Sequence, residues 1–136
     1  MSTRLKDKRE KLEQIVAKLA EEAAKGKPIV VEGKKDAQAL LELGVEGVIF
    51  TVKTGGKSFL EAAAEIEALG VTEVILLLDS DRRGKEGTKR LQLDLERASV
   101  KANVRFWRDL WSLLGREVQC VESLPSYRVT LQQESH

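Results

Sequence analysis

The chain has 136 residues, 42% hydrophobic, 33% charged and 4% aromatic, the profile of one compact domain that buries a core without disulfides or structural zinc. Its single cysteine, Cys120, can form no internal bridge and suits a reducing cytoplasm, and no apolar run approaches the roughly 18 residues of a membrane span. Lysine and arginine number 23 against 22 acids, a net charge of +1 that carries no bulk signal for a polyanion, although Arg82 to Arg116 is locally basic, as suits a solvated helix face or phosphate binding.

Arg4 to Lys25 carries Leu5, Leu12, Ile15, Val16, Leu19 and Ala23 at helical spacing, which predicts a helix with one apolar stripe, stopped by Gly26 and Pro28. The stripe is suited either to covering a sheet or to pairing with a second copy, and Lys6, Lys8, Arg9 and Lys11 are solvated charge or phosphate contacts in either case. The expected organisation is an N-terminal amphipathic helix over 1–27, one domain over 28–131 and a frayed tail over 132–136. Ile29-Val30-Val31 reads as a buried strand ending at a Glu32-Gly33 turn. A helix capped by Asp36 follows, with Ala37, Leu40, Leu41 and Leu43 inward and Gly44 at its end.

Val48 to Val52 is a second strand, followed by a loop through Thr54-Gly55-Gly56-Lys57 and a helix from Ser58 to Leu69 closed by Gly70. Val74 to Leu78 is the strongest strand signal, with Asp79-Ser80-Asp81 at its carboxyl end and a helix from Gly87 to Ala98 that turns Leu91 and Leu95 inward. A fourth strand is expected at Asn103–Trp107 and a short helix at Arg108–Gly115. Two edge strands, Val118–Val121 and Tyr127–Leu131, are expected around a Leu124-Pro125 turn. Strands alternating with helices of this length predict an α/β fold with a parallel central sheet of about four strands and right-handed crossovers.

In such a sheet ligands bind outside the carboxyl ends of the strands, and two strands here end in acids: Glu32 after the first, Asp79 with Asp81 after the third. Residues two apart in an extended segment point the same way, so Asp79 and Asp81 can share one ion while Glu32 approaches from a neighbouring strand. An all-oxygen cluster suits a hard cation, Mg²⁺ or Mn²⁺, rather than zinc. Each acid taken alone can equally serve as a cap for the helix that follows it.

Three segments resemble, in order and spacing, the signature motifs of the Toprim domain: Val30-Val31-Glu32-Gly33-Lys34-Lys35-Asp36, Thr54-Gly55-Gly56, and Leu77-Leu78-Asp79-Ser80-Asp81-Arg82-Arg83-Gly84. The resemblance covers about Ile29 to Trp107, and the size is similar to that of small archaeal and bacterial stand-alone Toprim proteins. Toprim is shared by type IA and type II topoisomerases, bacterial-type primases, nucleases and recombination mediators. It implies a Rossmann-like sheet, Mg²⁺ or Mn²⁺ held by Asp79 and Asp81, and Glu32 as a general acid or base, or a further ligand, in phosphodiester chemistry. Gly33, Lys34, Lys35, Gly55, Gly56, Arg82, Arg83 and Lys85 flank the acids and are candidates to hold adjacent phosphates, or are ordinary surface residues.

The expected function is metal-dependent chemistry on RNA or DNA, as a small nuclease of RNA processing or DNA repair. The alternative is a non-catalytic module that binds nucleic acid or a protein partner. Tyr127 lies beyond the motifs, which argues against tyrosine-mediated strand breakage, and the single histidine, His136, supports no histidine-based hydrolase. Gly55-Gly56-Lys57-Ser58 before a helix mimics a nucleotide-binding loop, but the first glycine of that pattern is replaced by Thr51, and Glu32 and Asp81 are left without a role. Trp107 and Trp111, four apart on one side of a short helix with Leu114, suit core packing or, if exposed, base stacking or a protein interface.

Overall fold

The structure is a computed structural model that describes residues 3–52 and 58–135. Four strands, β1 (Ile29–Val31), β2 (Ile49–Thr51), β3 (Glu73–Leu76) and β4 (Lys101–Asn103), form one sheet in the order β2-β1-β3-β4. Every pairing is parallel, Ile29 lying opposite both Ile49 and Ile75, and Val74 opposite Ala102. The short apolar strands are buried because helices cover both faces, which leaves the ends of the strands as the place where polar groups collect. After β2 the chain crosses back over β1 to lay down β3, so the carboxyl ends of β1 and β3 diverge at a topological switch point.

Alternation along the strands divides the core. Ile29, Val31, Ile75 and Leu77 face one layer with α1 (Thr3–Ala24), α2 (Lys34–Glu42), α5 (Arg105–Leu114) and α6 (Leu124–Glu134). Val30, Val74, Leu76 and Leu78 face the other, with α3 (Phe59–Ala68) and α4 (Arg82–Arg97). The α1 stripe is spent within the chain: Leu12, Val16, Leu19 and Ala23 are buried in the first layer, and Arg128 of α6 reaches Glu13 through both Nε and Nη2, at 2.9 and 2.8 Å. Lys8 and Lys11 of the same helix pair with Glu117 and Asp7. Gly44 and Gly70, at φ of 86° and 73°, end α2 and α3 in the left-handed region that glycine enters without strain. Among the described residues no helix is long and apolar enough to cross a membrane.

The second half of the chain departs from the expected boundaries. The fourth strand ends at Asn103, whose side-chain oxygen accepts the Arg105 N–H and turns the chain into α5; Arg105–Trp107 is therefore helix, with Phe106, Leu110, Trp111 and Leu114 on its buried face. Helix α4 starts at Arg82 rather than Gly87 because Asp81 caps it, its Oδ1 accepting the Gly84 N–H at 2.7 Å, and this outweighs the low propensity of two glycines in the first turns. The expected edge strands at Val118–Val121 and Tyr127–Leu131 are absent from the described structure. Residues 119–120 are irregular, Val121–Ser123 is a single 3₁₀ turn, and α6 runs on to Glu134, so that 132–134 are helix instead of the expected frayed tail. Pro125, which reads as a turn in a strand pattern, sits in the first turn of α6 where its missing N–H costs nothing, and Leu124 and Leu131, seven apart, anchor that helix in the core.

Candidate metal centre

Glu32 follows β1 directly, and Asp79 and Asp81 follow β3, so the switch point gathers all three carboxyl groups at one edge of the sheet. One carboxylate oxygen of each lies within 4.8 Å of those of the other two. Glu32 and Asp79 are buried, whereas Asp81 is exposed, so the cluster is walled on the protein side and open on the other. Two of the acids also hold the backbone: Glu32 Oε2 accepts the Asp79 N–H at 3.3 Å, tying the end of β3 to the end of β1, while Asp81 caps α4. The capping reading and the cluster reading of Asp81 are therefore compatible, because a cap engages one oxygen of a carboxylate that has two.

Asp79 is fastened at three of its polar atoms. Its N–H goes to Glu32, its carbonyl oxygen accepts the Trp107 indole N–H at 3.4 Å, and its Oδ1 accepts the Val121 N–H at 3.1 Å. One residue earlier, the Leu78 carbonyl accepts the Trp111 indole N–H at 3.0 Å. The two tryptophans thus pack against the core and also clamp the backbone beneath the acids, which disposes of the exposed stacking pair. Gly84 lets α4 approach: a Cβ there would fall onto the Asp79 carbonyl, within 2.6 Å of its carbon.

Asp36 takes a different place from the one expected. Gly33 is the N-cap of α2, and Asp36, in the first turn, reaches back to accept the Gly33 N–H at 3.0 Å. Its other oxygen accepts the Glu122 N–H at 2.9 Å from far along the chain. Neither this bond nor the Val121 and tryptophan bonds to the end of β3 is legible in the sequence. Backbone amides carry no side-chain signature, and the only trace is that Trp and buried Asp need polar partners.

Burial and the neighbouring Glu32 carboxyl push the Asp79 carboxyl up to about 8, against the opposing pull of the Val121 N–H. Burial likewise raises Asp36, offset in part by the Gly33 and Glu122 N–H groups. Among the described residues neither Asp79 nor Asp81 forms an ion pair. A divalent ion would offset the crowding of these carboxyl groups, and the all-oxygen donor set, open on one side to water, fits Mg²⁺ or Mn²⁺.

Of the residues expected to hold phosphates, Lys34 and Lys35 lie exposed in the first turn of α2, next to the half-buried Gly33. Arg82, Arg83 and Lys85 lie exposed in the first turn of α4. Arg82 is engaged with Glu86 at 3.2 Å and Lys35 with Glu122 at 4.0 Å, while Lys34, Arg83 and Lys85 form no ion pair among the described residues. Gly55 and Gly56 lie outside the described residues, as does His136.

The Toprim domain family model matches residues 26–105. A UPF0292 protein of Methanocaldococcus jannaschii is 37% identical over 119 residues, covering 87% of this chain and 90% of that protein. Another, from Methanosarcina barkeri, is 33% identical over 118 residues, covering 87% of this chain and 80% of its own length. A solved structure of a protein from Aquifex aeolicus shares the fold, with a TM-score of 0.64 at 24% identity over 81% of this chain and 94% of that one. Together with the parallel sheet that carries the signature acids, these matches place the chain in the Toprim domain family, among the small UPF0292 proteins.

Proposed function

We propose that this protein is a small metal-dependent nuclease that acts on RNA or DNA, with Asp79 and Asp81 as ligands of Mg²⁺ or Mn²⁺ and Glu32 as the proton-transfer residue. The reading is carried by the meeting of Glu32, Asp79 and Asp81 within 4.8 Å at the switch point of the sheet. When bound, the divalent ion would neutralise the non-bridging oxygens of a phosphodiester and make a water molecule more acidic. The chain supplies the rest. Glu32, buried beside Asp79, is placed to exchange a proton with the reacting water, whose oxygen forms the new P–O bond as the old ester P–O bond breaks.

Substrate phosphates on either side of the scissile bond would meet the first turns of α2 and α4. There Gly33, Lys34 and Lys35 on one side and Arg82, Arg83 and Lys85 on the other offer cations and N-terminal helix dipoles of the right sign. Gly55 and Gly56 are proposed as further backbone contacts to phosphate on the strength of the motif. The partner is nucleic acid, and residues 28–131 are proposed as the functional domain.

The test is cleavage of single-stranded, duplex and structured RNA and DNA with Mg²⁺, Mn²⁺ or EDTA, comparing the natural protein with Asp79→Asn and Glu32→Gln. Metal-dependent cutting lost in both variants supports the reading. Cutting that survives Glu32→Gln removes the proton-transfer role. Metal-dependent binding without any cutting identifies a non-catalytic module instead.

A further inference from the structure

We infer that the segment Gln119–Glu122, beyond the residues that match the Toprim domain, is part of the acidic site and positions the Asp79 carboxylate for a divalent cation. The inference rests on the reading of Glu32, Asp79 and Asp81 as a cation site. Three hydrogen bonds within four residues strap this segment across the ends of β1 and β3. The Val121 N–H donates to Asp79 Oδ1 at 3.1 Å, the Ser80 N–H donates to the Gln119 carbonyl at 2.8 Å, and the Glu122 N–H donates to Asp36 Oδ1 at 2.9 Å. The strap is itself immobilised, because the Val121 side chain is fully buried and Leu124, three residues on, is buried in the same core layer as α1 and α2.

A carboxylate at the end of a strand has free rotation about two torsions unless something holds it. Here the hold comes from a backbone amide whose position is set by the core. Partners of this kind orient a ligand group, and losing one typically weakens metal binding about 10- to 100-fold. Asp36 takes part from the other side: one carboxyl group closes the start of α2 and grips the strap, so the end of β1, the end of β3 and the C-terminal segment are fixed relative to one another.

Val121 offers a clean test. Cys120 before it has φ −133° and ψ 146°, the extended conformation that a residue preceding proline adopts, and Val121 opens the 3₁₀ turn, where proline is accepted. Val121→Pro therefore deletes the N–H donor with little change of backbone, while Val121→Ala keeps the donor and removes the methyl groups. By calorimetry, Val121→Pro should bind Mn²⁺ at least about ten-fold more weakly than the natural protein and Val121→Ala within about two-fold of it, although both melt at lower temperature. Equal affinities for the two variants would overturn the inference.

Should Val121→Pro fail to fold, hydrogen exchange of the natural protein decides the matter, because coupling between two parts of a structure is reciprocal. Peptides covering 119–123 should exchange more slowly with Mn²⁺ than without it, and unchanged exchange overturns the role of the strap. Absence of Asp79-dependent Mn²⁺ binding in the natural protein would instead remove the cation site, and the inference with it.

Discussion

Gly84→Ala tests the close approach on which the site is built. An ideal Cβ at this position would lie 2.6 Å from the Asp79 carbonyl carbon and 3.1 Å from its nitrogen, against backbone that has no rotamer to change. The first turn of α4 has to retreat, which stretches the 2.7 Å bond from the Gly84 N–H to the capping Asp81. Overpacking costs about 1–3 kcal/mol, a weakened N-cap about 1 more, and alanine returns about 1 through helix propensity. The net loss is about 2 kcal/mol, which for a chain of this length lowers the midpoint of thermal unfolding by roughly 6–8 °C. Circular dichroism melts read this directly.

Gly87→Ala serves as the control. Its Cβ would meet the far ends of Phe59 and Leu78, side chains that can shift, so the loss should be smaller. Calorimetry with Mn²⁺ should also show weaker binding for Gly84→Ala, since Asp79 and Asp81 are displaced relative to one another. A Gly84→Ala protein as stable as the natural one, or one less destabilised than Gly87→Ala, would refute the argument from backbone contact.

Three further outcomes are expected. In the metal-free protein the Asp79 carboxyl titrates at about 8 against an ordinary 3.8, so its contribution to stability is complete below about pH 4 and is lost as the pH rises through about 8. Asp79→Asn, which cannot ionise, should accordingly gain in stability relative to the natural metal-free protein as the pH rises from about 4 to about 8, while Mn²⁺ affinity of the natural protein climbs toward pH 8; a difference in urea stability that is flat with pH would refute the shift. Replacing both Arg82 and Arg83 by alanine should reduce the slope of log K against log salt for duplex DNA by up to about 2, and an unaltered slope would return them to plain surface charge. Trp111→Phe leaves the buried Leu78 carbonyl without its indole donor and should cost about 1–3 kcal/mol in urea unfolding, and a neutral result would refute the clamp on β3.

Where local signals were strong the sequence was legible. The apolar triplet Ile29-Val30-Val31, the run Val74–Leu78 and the periodic stripe of α1 are short-range patterns that burial rewards wherever the chain goes, and each became the expected element. The acids at the strand ends were equally visible, because a carboxylate directly after a buried strand is placed by the strand itself. The departures lie in the second half of the chain. Asp81 capped α4 and outweighed the low propensity of two glycines, Asn103 ended a strand through a side-chain bond, and Val118–Val121 and Tyr127–Leu131, β-branched and apolar, were drawn into a turn and a helix by tertiary contacts.

That the protein is an α/β domain with three acids at the carboxyl edge of a parallel sheet follows from strand pattern and residue order, which are local properties of the chain. How tightly those acids are held depends on the folded chain. The Val121 and Glu122 amides, the Trp107 and Trp111 indoles and the approach of Gly84 come from segments up to 86 residues away in the chain from the groups they touch. Such bonds are made by backbone and shape, which every sequence possesses, and they acquire meaning only when the fold brings particular atoms within hydrogen-bonding distance.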